Sequence, residues 1–599
     1  MHRLEEYHQR WTKRLLDERN SEGGWSGELS SSAVATATAV VALHCYDAQG
    51  NEALTRAGRH WLAATQLADG GWGDSPESPS NTTATLLARA ALHGDKESDE
   101  NCRRADAFLE REFGGTDADQ LRTGILRKYG ADRTFSVPIL ALCASVGLLG
   151  EGTRAWQGIP RLPFELAVMP GGMLRLLKLQ VVSYAIPALI CVGIAQHRNS
   201  KPSLVRWLRE RFVPRCLRIL QQKQPDSGGF LEAAPLTAFC LICLSKAGLK
   251  QHPVAAACAE FLCQTVRADA SWPIDTNLDQ WLTSLAGKAV VESLTAAEKA
   301  SLSELILGRQ FREVHPFTGA RPGGWGWTPL SGAVPEADDT PAALILLYHL
   351  RNGECSPDIE RGCRWLLDIQ NADGGMPTFC RGWGRLPFDQ SCPDLSSHAW
   401  RALSLWLPQL PATLQKRVRR SLANILDFLE KKQRDDGSFL ALWFGDQYAA
   451  DQLAPVYGTA VVLENLQGVK EPWLQKARDF LLAQQLPSGA WGDAATRRPN
   501  VIFTARALAA LAPCPEAKET LQRGFDFLRP YLEDEKELPV EPIGLYFSQL
   551  WYSEKLYPKI FIVQALCKRV QGAGCRVQGA GCRVQGAECR VQSAGCRFK

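Results

Sequence analysis

The sequence predicts an all-α fold of two helical toroids that share an apolar interior. Three observations predict it. A short motif recurs along the chain at fixed offsets. The stretches between copies are rich in alanine and leucine, as in Ser397 to Trp406 and Thr504 to Leu511. Alternation of apolar and polar residues, the mark of a strand, is scarce.

The repeat centres on a glutamine. Gln66 has Trp61 five residues before it and Trp72 six after. Gln224 has Ile219 and Phe230 at those offsets, Gln370 has Trp365 and Met376, Gln433 has Phe428 and Phe439, and Gln485 has Phe480 and Trp491. A turn lies between each Gln and the later residue, such as Asp69-Gly70-Gly71 or Pro487-Ser488-Gly489. Each unit therefore ends a helix at its Gln, turns at a glycine, and stacks a large side chain back on the helix end. The amide is placed to bond the free backbone groups there. A helix-hairpin toroid in two layers follows. The motif weakens between about 92 and 215, and the loop-rich segments 264–283 and 311–335 bracket the midpoint. From about 569, Arg-Val-Gln-Gly-Ala-Gly-Cys recurs every seven residues with one large apolar position per copy, which predicts a disordered tail.

Composition narrows the function. The net charge is +4, but residues 568–599 carry seven Lys/Arg against one Glu, which leaves the body near −2. That balance gives no reason to expect nucleic acid. Of 19 cysteines, four sit in the tail repeat and the rest are scattered through apolar helical patterns. They read as buried thiols in a reducing compartment, with no zinc-ligand spacing among them. The N-terminus is charged and unlike a signal peptide. The longest uncharged apolar run, Leu179 to Gln196, carries Pro187 and makes a poor transmembrane helix.

The most informative stretch is Gly323-Gly324-Trp325-Gly326-Trp327, followed by Pro335-Glu336-Ala337-Asp338-Asp339-Thr340. Three carboxyls fall within four positions. Like charges that close cannot all ionise cheaply, so at least one keeps its proton near neutral pH. A buried carboxylic acid beside aromatic faces can protonate an unactivated alkene, and the rings can stabilise the resulting cation. The alternative is an acidic helix N-terminus, where Asp and Glu suit the dipole and Thr340 begins an apolar helix.

Repeats and acidic segment together resemble the squalene-hopene cyclase family of class II triterpene cyclases over roughly residues 10–568. The repeats are similar to that family's QW motifs. Glu336-Ala-Asp338-Asp339-Thr340 resembles its DxDD-Thr acid motif, which implies Asp338 as proton donor with Asp339 and Glu336 beside it. The first Asp of the family pattern is Glu336 here, one methylene longer. Asp394-Leu-Ser-Ser-His398 resembles the segment whose His hydrogen-bonds the donor, and a spacing of four puts Asp394 and His398 on one helix face. Val456-Tyr457-Gly458-Thr459 resembles the segment whose Tyr reaches the acid through water. Ile543-Gly-Leu-Tyr546-Phe547 to Leu556-Tyr557-Pro558 resembles the aromatic closing segment and implies Tyr546 on the cavity. By offset, Trp327 falls where the family places a ring for early cations. Trp443, Trp281 and Tyr184 fall at other cavity positions. Core packing is the alternative for each ring.

The resemblance implies two α/α barrels. The α6-α6 barrel with the acid motif is formed by 10–28 with 285–568, the second barrel by 29–284, and 569–599 is the tail. It implies an enzyme that cyclises squalene or a related linear polyprenoid without metal or organic cofactor. It also implies a monotopic position on the cytoplasmic face of a membrane, with an apolar entrance near 166–196, and leaves a homodimer open. Two departures stand out. Hopene formers use two glutamates near the terminal cation, and the alignment puts Thr38 and Thr85 there, which implies a different termination. The segment 197–215 is short and basic, which implies a reduced apolar plateau. The rivals are a cyclase of a partly cyclised or C35 polyprenoid, a prenyltransferase-like toroid needing an Asp, Cys and His zinc site, and an inactive lipid-binding toroid.

Overall fold

A computed structural model describes residues 2–577, apart from 131, 178–181, 317, 383, 385–386, 494, 534–537 and 545–548. Its regular secondary structure is almost entirely helical, with two two-stranded ribbons, Ser31–Ser32 with Trp272–Pro273 and Trp491–Asp493 with Arg498–Asn500.

The helices close into two rings. Ala33–Tyr46, Thr82–Ala91, Arg133–Ser145, Val182–Arg198 and Ala234–Lys246 each pack on the next, and the last returns to the first. A second ring is formed by Asp279–Val290, Asp339–Leu350, Pro393–Trp406, Pro455–Asn465, Val501–Leu511 and Leu556–Val577. These inner helices are apolar on most sides, as a helix enclosed by others must be. Amphipathic outer helices such as Pro357–Ile369 and Ala412–Lys432 cover them. The apolar core divides accordingly, with one cluster from Ala33 to Trp272 and another joining Tyr7 to Leu29 with Leu278 to Leu566. The first helix, His2–Asp17, packs with the second ring against Leu556–Val577. That last helix runs to Val577, past the point where the glycine-rich repeat begins.

The glutamine units explain how each outer helix is tied to the next. In every copy the Gln Nε2 donates to the turn glycine's carbonyl and to a carbonyl of the following outer helix, in its first turn except for Gln370, which reaches Ser421 O midway along Ala412–Lys432. Gln66 reaches Gly70 O at 2.8 Å and Asn101 O at 2.9 Å. Gln485 reaches Gly489 O and Thr520 O, both at 2.8 Å. The indole of Trp72 donates back to Leu62 O at 2.8 Å, and its backbone N–H donates to Thr85 Oγ1 on the inner helix at 3.0 Å. The turn glycine is obligatory. At Gly437, φ is +87° and a Cβ would sit 2.4 Å from Lys476 O.

Three units escape the sequence pattern. Gln310 bonds Gly323 O and Asp358 O, both at 2.9 Å, but a longer loop delays its Trp325. Trp272 and Trp25 make the same indole bonds, to Leu262 O and Leu15 O, with Val266 and Arg19 standing where Gln would be.

Among the described residues no helix is long and apolar enough to cross a membrane. The fifteen cysteines before the tail are free thiols. Exposed apolar side chains gather at Leu166, Met173, Leu176 and Leu177, and again at Leu204, Val205, Trp207, Leu208 and Phe212. The second group belongs to the segment expected to be basic. Two of its arginines turn away, Arg209 pairing with Glu165 at 2.9 Å and Arg206 bonding Ser200 O, while Arg211 lies over the exposed Trp207 ring at 4.0 Å. The short helix Leu204–Glu210 is left with an apolar outer face, so the patch is larger than the sequence suggested.

Candidate active site

The acidic segment is held by backbone bonds before any chemistry enters. Thr340 Oγ1 accepts from Trp325 N–H at 2.9 Å, as Thr85 does from Trp72. Glu336 N–H donates to Trp325 O at 2.9 Å and Ala337 N–H to Thr378 O at 2.8 Å. The loop before it is pinned by the other barrel, where buried Glu232 accepts from Gly332 N–H at 2.7 Å. Leu231 and Glu232 both sit at positive φ, 55° and 54°, strain that this anchoring sustains.

Asp338 is the N-cap of the Asp339–Leu350 helix, yet its carboxyl makes no capping bond. It reaches instead across the ring to His398, Oδ1 to Nδ1 at 2.8 Å. Asp338 and Asp339 thus do stand at a helix N-terminus, but the Asp338 carboxyl is turned toward the histidine rather than onto the helix's own N–H groups. Asp394 lies one turn before His398 on the Pro393–Trp406 helix and accepts from Cys392 Sγ.

Burial, with Asp339, Asp338 and Asp275 adding repulsion, holds the Glu336 carboxyl well above the usual carboxylate range. Asp339 is held well above it by burial and by Asp338, and its Oδ1 has no hydrogen-bond partner. Burial, then the Asp338 charge, pushes Asp394 up to about 7. Asp275, a carboxyl outside the motif, is pushed up to about 8 by burial, although the Trp327 indole donates to it at 3.2 Å. The cluster is built to retain protons at neutral pH.

A cavity of about 400 Å³ opens from this cluster and is walled by both barrels. Glu336, Asp338, Asp339, Asp275, Trp281, Trp327 and Trp443 line it. Trp281 meets the His398 ring edge-on at 6.2 Å and donates to Tyr557 OH at 3.1 Å. Trp327's carbonyl accepts from the backbone of Gln280 and Trp281, which fixes two indoles together. Trp443 donates to Thr378 Oγ1 at 2.9 Å and stands edge-on to Phe379 at 5.8 Å.

Tyr457 takes a different place. It is buried between Phe444 and Phe503, with Arg506 over its ring at 5.5 Å, and is not on the cavity wall. Burial pushes its phenol up, and Asp338 and Asp394 are close enough to add to this. Tyr546 and the side chain of Tyr184 lie outside the described residues. Thr38 and Thr85 are also off the wall. Thr38 Oγ1 bonds Val34 O and Ala35 O within its own helix, and Thr85 serves Trp72. Both are helix-packing hydroxyls, which corrects the expectation that they face a terminal cation.

Sequence reasoning missed Asp275, Phe379, Phe388, Phe444, Tyr552 and Tyr557 on the wall. Only the last two had a signal, in the closing segment around Leu556-Tyr557-Pro558. Among the described residues no three His, Cys, Asp or Glu side chains are grouped to hold a metal.

Two α-helical rings around an aromatic cavity, with a histidine-paired aspartate in its wall, define the class. The squalene-hopene cyclase N-terminal domain matches residues 9–185 and the C-terminal domain matches 279–566. The chain belongs to the squalene-hopene cyclase family. It is 24% identical to enfumafungin synthase of Hormonema carpetanum, over 79% of this chain and 41% of that protein. It is 22% identical to a probable squalene–hopene cyclase of Sinorhizobium fredii, over 80% of this chain and 81% of that one. With a terpene cyclase–glycosyl transferase fusion protein of Humicola fuscoatra, it covers 92% of this chain and 48% of that protein. The chain thus spans less than half the length of both fungal relatives. The fold is shared with ent-copalyl diphosphate synthase from Streptomyces platensis, at a TM-score of 0.58 and 17% identity, over 95% of this chain and 99% of that one.

Proposed function

We propose that this chain is a class II terpene cyclase that protonates a terminal alkene of squalene or a related linear polyprenoid and drives its cationic cyclisation. The observation that carries this reading is the 2.8 Å contact between Asp338 and His398 at the wall of an aromatic cavity. With His398 Nδ1–H donating to Oδ1, the acidic proton resides on Oδ2. Asp339, Glu336 and Asp394 stand in the same buried cluster, and burial and mutual repulsion hold their own carboxyls above the usual carboxylate range. Transfer to the alkene leaves Asp338 anionic beside a histidine that stabilises it, and the new cation faces π surfaces without a nucleophile. Each ring contributes up to ~2 kcal/mol in a dry site. Trp281, Trp327 and Trp443 are the rings we assign to this role.

The reading places the protein peripherally on one leaflet, since its substrate is a membrane lipid. The exposed face made by Leu166, Leu176, Leu204 and Trp207 supports that placement, and the free thiols suit the cytoplasmic side.

Incubating the purified protein with squalene in detergent and analysing the extracted lipids tests the proposal. A cyclic isomer of the substrate that disappears with Asp338→Asn is the expected result. Unchanged squalene, together with no product from other linear polyprenoids, would refute it.

A further inference from the structure

The cavity has a second polar pole. Indoles, the acid cluster and the Tyr552–Tyr557 pair aside, its polar lining side chains are Thr83, Tyr129, Arg133 and Thr134. They come together from three helices of the first ring and its cover: the start of Thr82–Ala91, the end of Ala118–Tyr129 and the start of Arg133–Ser145. Thr83 Oγ1 and Tyr129 OH are 3.0 Å apart, and the Tyr129 ring is stacked on Phe135 at 6.0 Å. Arg133 is exposed where the wall opens, and among the described residues its guanidinium has no hydrogen bond or ion pair. Thr134 is already engaged, donating to Asp132. Behind the wall, Lys128 Nζ donates to Thr82 Oγ1 at 2.8 Å, and buried Asp74 has one carboxyl oxygen without a partner.

A hydrocarbon such as squalene leaves all of this unused. Covering hydroxyls and an unpaired guanidinium with an apolar chain end forfeits their hydration for nothing in return. A chain that ends in an oxyanion meets a planar cationic fork and two hydroxyls at the place where the apolar wall stops.

We propose that the substrate is a polyprenoid with an anionic oxygenated head, of the phosphate or carboxylate class. Arg133 binds the head with the Thr83 and Tyr129 hydroxyls, while the alkene at the other end meets Asp338. This rests on the cyclase reading and names the substrate class within it.

Binding measured without turnover tests it. In protein carrying Asp338→Asn, geranylgeranyl diphosphate and geranylgeraniol are titrated in the same detergent. The diphosphate should bind at least ten-fold tighter. Adding Arg133→Gln should abolish that preference and leave the alcohol's affinity within two-fold. Equal affinities, or a preference that survives Arg133→Gln, overturn the proposal. The same guanidinium could instead serve a lipid phosphate, so both proteins are also sedimented with vesicles of phosphatidylglycerol and phosphatidylcholine. Loss of vesicle binding in Arg133→Gln with the diphosphate preference intact overturns the proposal in favour of a lipid contact. Wild-type protein is separately assayed for cyclic products from both ligands and from squalene. A diphosphate preference without product from any of them supports the head site and counts against the cyclase reading, so the two fail separately.

Discussion

Asp338 Oδ1 and His398 Nδ1 stand 2.8 Å apart, joining the N-cap of one inner helix to the second turn of the next across 60 residues of sequence. The contact turns a helix-capping aspartate into a histidine-paired acid. The histidine favours the carboxylate that proton transfer leaves behind, so its removal should slow the chemical step rather than binding. His398→Phe is expected to lower kcat by ~10²–10⁴-fold, the usual share of a positioned acid–base partner, with little change in KM. Single-turnover kinetics check this, and a variant with normal kcat would remove His398 from the mechanism.

Asp394 gives a pH-dependent signature. Its carboxyl is pushed from 3.8 up to about 7 in the folded chain. Between those values the folded state holds a proton that the unfolded state has lost. Its contribution to stability therefore falls as pH rises through that window. Asp394→Asn lacks this titration. The stability of the variant relative to wild type should rise across the window by no more than ~1.4 kcal/mol per pH unit. Urea unfolding at several pH values checks it, and a pH-independent difference would contradict the assignment.

Thr85 tests the reading of the repeat. Its hydroxyl accepts the buried Trp72 N–H. Thr85→Val keeps the shape and orphans that donor, which should cost ~1–3 kcal/mol of stability. Because Thr85 is off the cavity wall, the product should not change. Altered product with unaltered stability would return Thr85 to the chemistry.

The apolar face can be tested apart from catalysis. Leu204→Ser with Trp207→Ser removes two exposed apolar side chains, which are 72% and 57% exposed, from a helix that packs little else. Co-sedimentation with neutral vesicles should drop several-fold while the melting temperature holds. Undiminished sedimentation would place the membrane contact elsewhere.

Much of the fold was legible because its repeat is a local device. Gln, turn glycine and aromatic lie within six residues, so their geometry is written at fixed offsets. Units were lost where loop length varied, as at Gln310, or where another residue took the glutamine's place, as at Val266 and Arg19. The acid motif was legible for the same reason, since Glu336, Asp338 and Asp339 are consecutive or nearly so. Its partner His398 was reached only through resemblance, because contacts between inner helices leave no spacing to read. Asp275 illustrates the limit. It is a single aspartate in a loop, and only the closure of the rings brings it beside Trp327 and Glu336. Thr38 and Thr85 show the converse, where alignment alone assigned a cavity role to hydroxyls that face a helix and a turn. The arginines of 197–215 suggested a basic surface, but Arg206 and Arg209 are drawn to Ser200 O and Glu165 and Arg211 covers the Trp207 ring, which leaves apolar side chains outward between them.

The central claim is that Asp338 delivers the initiating proton. The direct measurement is turnover of a polyprenoid substrate in D2O by wild-type protein and by folded Asp338→Asn. The wild type should place one deuterium on the ring methylene that was the CH carbon of the protonated terminal alkene. The variant should lose at least ~10³-fold in rate, about 4 kcal/mol of barrier. Near-normal turnover by the variant, or a cyclic product free of deuterium, would contradict the account.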